Sequence, residues 1–347
     1  MKVLKARVLK LLYYYRFRYG RSYWNIPYVI RIRMKFSNKF GHRTLSSSIR
    51  TTNNSLVLGK YGIPFDLHST WCLGPFRDQP GYLSLENYGY LADRYSDLSG
   101  SCSSIEGVVY STLSRVDVNY FHWLVESCSQ LLAIRDYMHE NSEVLSVIYR
   151  VDGPTFIVHS LQLLLDGLNY KLIPSKSENY SCDLLLTTVF PDYITTIDQR
   201  NLIRIRELLS ARIQDSQPTH ERIYVQRKSG GWRYVLNDDT LETALIMLGF
   251  CVIQCENLTL DEQIQTFRSA KIIVGMHGAG LTNLMFASNP VLVELRGDYG
   301  GNDYERLCAA MNSRHVLFSC ADVDHNVIVE ISRLVTLIRS FIDSPSA

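Results

Sequence analysis

The sequence predicts an α/β fold whose carboxyl-terminal half is a doubly wound parallel sheet, and three observations carry that expectation. First, five short apolar runs follow a break at Asp215-Ser216-Gln217-Pro218: Ile223-Tyr224-Val225, Cys251-Val252-Ile253, Ile272-Ile273-Val274, Val291-Leu292-Val293 and Val316-Leu317-Phe318. Second, they recur at intervals of 19 to 28 residues, and each is followed by a helix-compatible stretch, the signature of parallel βαβ units. Third, 347 residues with 46% hydrophobic and 20% charged side chains suffice for about two domains. That composition excludes a disordered tail, a collagen-like repeat and a disulfide-stapled miniature. The eight cysteines include no C-x-x-C pair and read as reduced thiols.

The chain opens on a basic arm. Residues 1–60 hold 14 Lys or Arg and no acid, the first being Asp66, so the remainder carries 22 bases against 34 acids. Leu4, Val8, Leu11, Leu12 and Tyr15 fall at helical spacing, with Lys2, Lys5, Arg7 and Lys10 mostly elsewhere on the wheel. Farther on lie Tyr23, Trp24 and the cluster Arg31, Arg33, Lys35 and Lys39. Apolar side chains on one face and cations on the other suit the headgroup layer of an anionic membrane. A solvated extension and a nucleic-acid contact are the other readings of this charge. We carry the membrane surface forward, through residues 1–40, and expect no nucleic-acid partner. No apolar run approaches the roughly 20 residues of a spanning helix, and the amino terminus lacks the pattern of a secretory signal. The expected location is therefore cytoplasmic and peripheral, at the inner face of the membrane. Residues 41–60, rich in Ser, Thr and Asn, read as a linker, so residues 1–55 form arm and linker.

Residues 56–214 form the next expected domain. Val108-Val109-Tyr110, Val147-Ile148-Tyr149 and Leu184-Leu185-Leu186 read as strands, with helices over 119–138, 155–166 and 198–213. Asp117 and Asn119 are candidate N-caps for the first of these helices. Along it Asn119, His122, Glu126 and Gln130 fall three or four apart and make one polar stripe, while Phe121, Leu124, Val125, Cys128, Leu131 and Leu132 fill the apolar side. Such a stripe is either an ordinary solvent face or a site. Tyr120, Phe121 and Trp123 crowd its start with aromatics, as where a sugar is gripped.

The domain expected over 215–325 contains the motif with most weight. The run Lys271 to Gly275 empties into Met276-His277-Gly278-Ala279-Gly280-Leu281-Thr282-Asn283, and a helical stretch follows. Gly278 and Gly280 allow close backbone approach, and a helix start offers unpaired N–H groups, so a diphosphate fits best. The spacing is neither a dinucleotide fingerprint nor a P-loop. The His-Gly-Ala-Gly string is similar to a lipase oxyanion loop, but no G-x-S-x-G elbow accompanies it. Arg227 follows another strand on the same edge and Arg233 the loop beyond; arginine supplies bidentate, permanent charge to phosphate. Glu294 and Glu256, each ending a strand, are rivals for a ribose. Asp238-Asp239 and the D-x-D-like Asp322-Val323-Asp324 read as structural, His315 and His325 as surface residues, and Cys251, Cys255, Cys308 and Cys320 as packing. No metal site is expected. A closing helix occupies 326–347.

Together the stretch Arg227…Arg233…Asn237, the His277-Gly278-Ala279-Gly280-Leu281-Thr282-Asn283 string, Val293-Glu294 and the upstream Asn119-Tyr120-Phe121-His122-Trp123-Leu124-Val125-Glu126 resemble glycosyltransferase family 61. That family includes protein O-linked N-acetylglucosaminyltransferases, plant xylosyl- and arabinosyltransferases and bacterial capsule-type enzymes. The resemblance implies a GT-B fold of two Rossmann-like domains facing a cleft, a nucleoside-diphosphate sugar as co-substrate, a UDP-sugar foremost, and inversion at the anomeric carbon. The expected acceptor is a glycan, glycolipid or protein hydroxyl, and no further cofactor is expected. Expected roles are Glu126 as base with His122 beside it; Asn119, Tyr120 and Trp123 toward the acceptor; and Arg227, Arg233, Asn237, Glu256, His277, Gly278, Ala279, Gly280, Leu281, Thr282, Asn283 and Glu294 toward the donor. The alternatives are a non-catalytic nucleotide-sugar scaffold and a hydrolase or phosphatase of sugar phosphates.

Overall fold

The computed structural model describes residues 48–59, 62–66, 71–72, 102–114, 116–176, 178–189, 197–213, 220–227, 233–298 and 301–343. The basic arm through residue 47 and the break at 215–218 lie outside them. The described residues fall into two compact units. One comprises those up to 117, 130–154 and 165–189; the other comprises 118–129, 155–164 and 197–343. The stretches 118–129, 155–164 and 197–213, which the sequence placed with the 56–214 block, thus group with the carboxyl-terminal half.

The first unit holds a seven-stranded sheet in the order β3-β2-β1-β7-β4-β5-β6. Its strands are β1 (Ser48–Leu58), β2 (Ile63–Asp66), β3 (Trp71–Cys72), β4 (Cys102–Ser111), β5 (Leu145–Arg150), β6 (Tyr170–Ser175) and β7 (Asn179–Val189). β4 pairs in parallel with β5 and β7, and β5 with β6, whereas β1 pairs antiparallel with β2 and β7. Val57, Val109, Ile148, Tyr180, Cys182 and Leu185 are among its core residues. The three expected strands all form. The expected linker over 41–60 does not: Ser48–Leu58 is an internal strand paired with β7 from Ser48↔Val189 to Val57↔Tyr180. Its Thr51-Thr52-Asn53-Asn54 reads as loop by polarity, yet those side chains are largely exposed while Thr51, Thr52 and Asn53 pair with β7 and only Asn54, at φ 50°, steps out of the ladder. Arg150 grips Asp117 in a buried ion pair, Nε 3.0 Å from both carboxylate oxygens, and donates to the Ser114 carbonyl at 3.1 Å. Asp117 is therefore an anchor for its loop. Asn119 is the cap, its Oδ1 accepting from the Phe121 amide at 3.0 Å.

The expected continuous helix over 119–138 is two things in succession. A π-helical segment, His122–Ser127, runs into α1 (Cys128–His139). Cys128 N–H reaches back to the Trp123 carbonyl, the five-residue step of a π turn, and Ser129 Oγ donates to the Val125 carbonyl at 2.6 Å. Helices α2 (Thr155–Leu164) and α3 (Gln199–Ser210) follow, the latter capped by Asp198.

The second unit is built on five parallel strands in the order β12-β11-β10-β8-β9. These are β8 (Arg222–Val225), β9 (Cys251–Ile253), β10 (Ile272–Met276), β11 (Val291–Arg296) and β12 (Arg314–Ser319). All five expected strands are present. Between them lie α4 (Asp238–Met247), α5 (Leu260–Phe267) and α6 (Asp303–Ala310). Thr259 and Glu262 close a reciprocal capping box on α5, and Gly249, at φ 77°, ends α4 in the left-handed region that glycine tolerates. A short hairpin, β13 (Ala321–Val323) and β14 (Asn326–Ile328), occupies the start of the expected closing helix. That helix, α7 (Ile331–Asp343), begins only at Ile331 and buries Leu334 and Ile338.

The chain runs from β8 outward to β9, then returns past β8 to β10, so the strand order reverses between β8 and β10. Open parallel sheets bind ligands beyond the carboxyl ends of the strands at such a switch point. The residues leaving β8 and β10 there are Gln226-Arg227 and His277-Gly278.

Candidate functional site

Arg227 lies over the turn after β10. Its Nη1 donates to the His277 carbonyl at 3.0 Å, and a Cβ on Gly278 would collide with that nitrogen. Gly278 is extended, so the glycine is required by the guanidinium that rests on it. Burial, then the nearby Arg233 cation, pull the Arg227 pKa below its ordinary value. Two guanidinium groups held within each other's field are a costly arrangement that an anion relieves. Arg233 is at φ 66°, a conformation non-glycine residues seldom adopt. Exposed Glu256 acts on Arg227 with the opposite sign. From α6, Tyr304 donates to the Gly278 carbonyl at 2.6 Å and packs edge-on against His277, 5.1 Å between ring centroids.

The turn continues into a 3₁₀ segment, Ala279–Phe286, in place of the expected α-helix. Side chains have claimed carbonyls an α-helical ladder would use: Gly278's by Tyr304, Gly280's by Asn283 Nδ2 at 3.1 Å. Gly278 is the N-cap with no side-chain cap, which leaves this N-terminus to face an anion.

Behind the turn, Glu294 in mid-β11 is fully buried and gives one oxygen to each of two imidazoles. Oε1 meets His277 Nδ1 and Oε2 meets His315 Nε2, both at 2.6 Å; Arg296 stands 3.8 Å away. Register explains the grouping. Gly275 pairs with Glu294, and Leu292 with His315, so His277, Glu294 and His315 share one face of the sheet. Burial raises the Glu294 carboxyl, but the hydrogen bonds from both imidazoles, with the charges of His277 and Arg296, outweigh it and hold the pKa at about 2.

Asn283 is a buried hub. It accepts from Tyr120 Oη at 2.8 Å and donates to Gln263 Oε1 at 2.7 Å. Trp123 donates its indole N–H to Ser160 on α2 at 2.7 Å. One residue away, His122 Nδ1 and Glu126 Oε1 are 2.9 Å apart on the π segment, and both are partly exposed. The rings of His122, Phe121, Tyr304 and His277 follow one another at centroid distances of 5.5, 5.6 and 5.1 Å. The two His–Glu pairs thus stand at the ends of one aromatic row, within one unit.

A sequence model of the glycosyltransferase 61 family matches residues 120–293, the span that runs from Tyr120 into β11. The chain belongs to glycosyltransferase family 61. No curated protein matches it significantly.

Membership makes the chain a glycosyltransferase by family and gives the two blocks their context, but the family 61 motif divides into parts with different work. His277, Gly278, Arg227 and Arg233 come together at the switch point, with Ala279, Gly280 and Glu256 nearby. Leu281 and Thr282 are fully buried, and Leu281 Cδ2 fills the space a Gly275 side chain would need. Asn237, expected at the donor, spends both ends of its amide on Val329, at 2.8 and 2.9 Å. Glu294 is an internal ligand of two histidines, not a strand-end acid facing a ribose. Tyr120 and Trp123 are 8% and 1% exposed with their polar atoms bonded inside, so they hold the fold where a sugar-gripping surface was expected; Asn119 remains exposed at its cap. His315, expected on the surface, is one of the Glu294 ligands. Asp322 accepts from the Asp298 and His325 amides at 3.1 and 3.2 Å and is structural, as expected. Two residues were missed. Tyr304 offered only a tyrosine in the first turn of a helix, and His315 only a histidine two residues short of a register partner of Glu294. Among the described residues no His/Cys/Asp/Glu group is placed to hold a metal ion, and no helix is long and apolar enough to cross a membrane.

Proposed function

We propose that this family 61 protein is an inverting glycosyltransferase that takes a nucleoside-diphosphate sugar, a UDP-sugar foremost, and glycosylates a hydroxyl of a glycan, glycolipid or protein. The observation that supports this most is Arg227, seated on Gly278 at the switch point beside Arg233 and an uncapped 3₁₀ N-terminus. Together these concentrate positive charge where a diphosphate's charge grows as it leaves, which is the largest demand of the reaction. Because the protein supplies cations of its own, the proposed reaction needs no divalent metal.

In a single displacement the acceptor oxygen attacks the anomeric carbon from the face opposite the diphosphate. The new C–O bond forms as the sugar–phosphate C–O bond breaks, with its electron pair going to the phosphate oxygen. The acceptor's proton goes to the His122–Glu126 pair. The sequence favoured Glu126 as base; the 2.9 Å contact between His122 Nδ1 and Glu126 Oε1 supports reading Glu126 as the carboxylate that orients the imidazole, and the imidazole as the base. The GT-B arrangement, and the anchoring of residues 1–40 on an anionic membrane at the cytoplasmic face, are retained in this reading from the sequence.

The test is calorimetric titration of the purified full-length protein with UDP-, GDP- and CDP-sugars, followed by product analysis with the best binder. A transferred sugar of inverted configuration, formed equally in EDTA, is expected. Free sugar or free phosphate as the sole product, or strict metal dependence, would overturn it.

A further inference from the structure

The His277–Glu294–His315 cluster is more elaborate than donor binding requires. A buried carboxylate is costly unless paired and fully hydrogen-bonded, and here β10, β11 and β12 each contribute a residue to satisfy one. The product of that outlay is the orientation of a single ring. Glu294 takes His277 Nδ1, His315 takes the other Glu294 oxygen, and Tyr304 packs edge-on against the imidazole. His277 Nε2 has no hydrogen-bond partner among the described residues, and the residue keeps 7% of its surface. The same residue's carbonyl holds Arg227. One nitrogen of a rigidly held ring is thus without a partner among the described residues, in the residue whose carbonyl binds the guanidinium proposed to hold the diphosphate.

We infer that His277 is a catalytic residue, which delivers a proton from Nε2 to the departing diphosphate, and that Glu294 and His315 are its positioning residues. This rests on the glycosyl transfer proposed above. In the doubly protonated ring Nδ1–H stays on Glu294 and Nε2–H faces the leaving group. As the sugar–phosphate C–O bond breaks, its electron pair passes to the phosphate oxygen and the Nε2 proton follows it. The acceptor's proton has meanwhile gone to His122, so one proton enters the protein and one leaves, and solvent restores both rings. Glu294 sustains the cation while it exists, and His315 keeps Glu294 from turning away. The two His–Glu pairs then divide the reaction: one takes a proton where the bond is made, the other gives one where the bond is broken.

The decisive variant is His277→Asn. Its amide nitrogen stands near the place of Nδ1 and preserves the bond to Glu294, while Nε2 is gone. We expect H277N to unfold at the wild-type temperature, to bind UDP within about threefold of wild type by calorimetry, and to lose about 10²-fold or more in kcat. His315→Gln keeps an N–H at the position of Nε2 and should stay within about threefold in kcat. His315→Leu should lose about tenfold or more in kcat with UDP affinity retained, because its effect travels through ring orientation. H277N with wild-type kcat overturns the inference alone, since the enzyme itself still transfers sugar. So does H315Q that fails as badly as H315L, or loss of UDP affinity in step with kcat in every variant. A wild-type protein that transfers no sugar from any of the three donor classes overturns this inference and the proposed function together.

Discussion

The Tyr120 hydroxyl donates to Asn283 Oδ1 at 2.8 Å across 163 residues of sequence, and this bond ties together the two blocks by which the family is recognised. Burial drives the Tyr120 pKa well above its ordinary value, so the phenol stays neutral and stays a donor. Asn283 adds Gln263 and the Gly280 carbonyl to the same hub. The His122–Glu126 pair on the π segment is thereby referenced to the Gly278 turn. Tyr120→Phe strands a buried amide oxygen and should cost about 1–3 kcal/mol of unfolding free energy. Asn283→Ala should cost more, and the double variant should fall short of the sum. Urea unfolding of the four proteins checks this.

The two glycines of the turn should fail differently. A methyl at Gly278 meets the mobile end of Arg227, so Gly278→Ala should fold normally and bind UDP about tenfold or more weakly, the scale of a lost charged hydrogen bond. Arg227→Ala should match it, and Arg227→Lys should recover only part because the bidentate fork is gone. A methyl at Gly280 would stand 3.0 Å from Val225 Cγ1 and 3.2 Å from Cys255 Sγ, in packed core. Gly280→Ala should therefore lower stability by about 1 kcal/mol and leave nucleotide affinity close to wild type. Calorimetry and thermal unfolding on the same preparations separate the two.

On the π segment, His122→Ala should lower kcat by about 10²–10⁴-fold with donor affinity intact. Glu126→Gln, which keeps shape and removes charge, should cost less. Single-turnover rates decide between this order and the reverse, in which Glu126 takes the proton itself.

Acid stability should carry the mark of Glu294. Its folded-state pKa of about 2 lies below the ordinary 4.5, so the unfolded chain binds the proton first as pH falls. The resulting stabilisation is complete above about 4.5 and is lost as pH drops toward 2. It amounts to something on the order of 3 kcal/mol at 1.36 kcal/mol per unit. Unfolding of Glu294→Gln, measured from pH 6 to pH 2, should show a shallower decline over that window than wild type.

Removal of residues 1–40 should abolish binding to phosphatidylserine-containing vesicles. Binding of the full chain should weaken as salt rises, and UDP affinity should be unchanged by the truncation. Equal sedimentation of both proteins with vesicles counts against the membrane role.

Much of the second unit was legible because each of its strands carries a short apolar run and the runs recur at similar spacing, as Ile272-Ile273-Val274 and Val291-Leu292-Val293 show. The glycine turn and Arg227 were legible for the same reason: both sit where such strands end. The roles of Asn283 and Asn237 were not, because an amide in a motif looks the same whether it faces a ligand or a buried carbonyl. Glu294 and His315 needed the parallel register of β11 and β12, which no local pattern encodes. β1 escaped because its exposed Thr and Asn residues obey backbone pairing to β7, a partner more than a hundred residues away. The π segment escaped because a single five-residue step leaves the apolar periodicity around it nearly intact.

That step, from Trp123 to Cys128, changes the phase of the helix between its amino-terminal and carboxyl-terminal sides. An α-helix advances about 100° per residue, so one residue more in a turn rotates everything upstream against everything downstream. Upstream, Tyr120 bonds Asn283 and His122 joins the aromatic row; downstream, Cys128 is fully buried and Ser129 Oγ returns to the Val125 carbonyl at 2.6 Å. A relative shorter by one residue here would keep one of these alignments and forfeit the other. Length variation within this stretch should therefore be read as a change of chemistry and not as drift in a connecting segment.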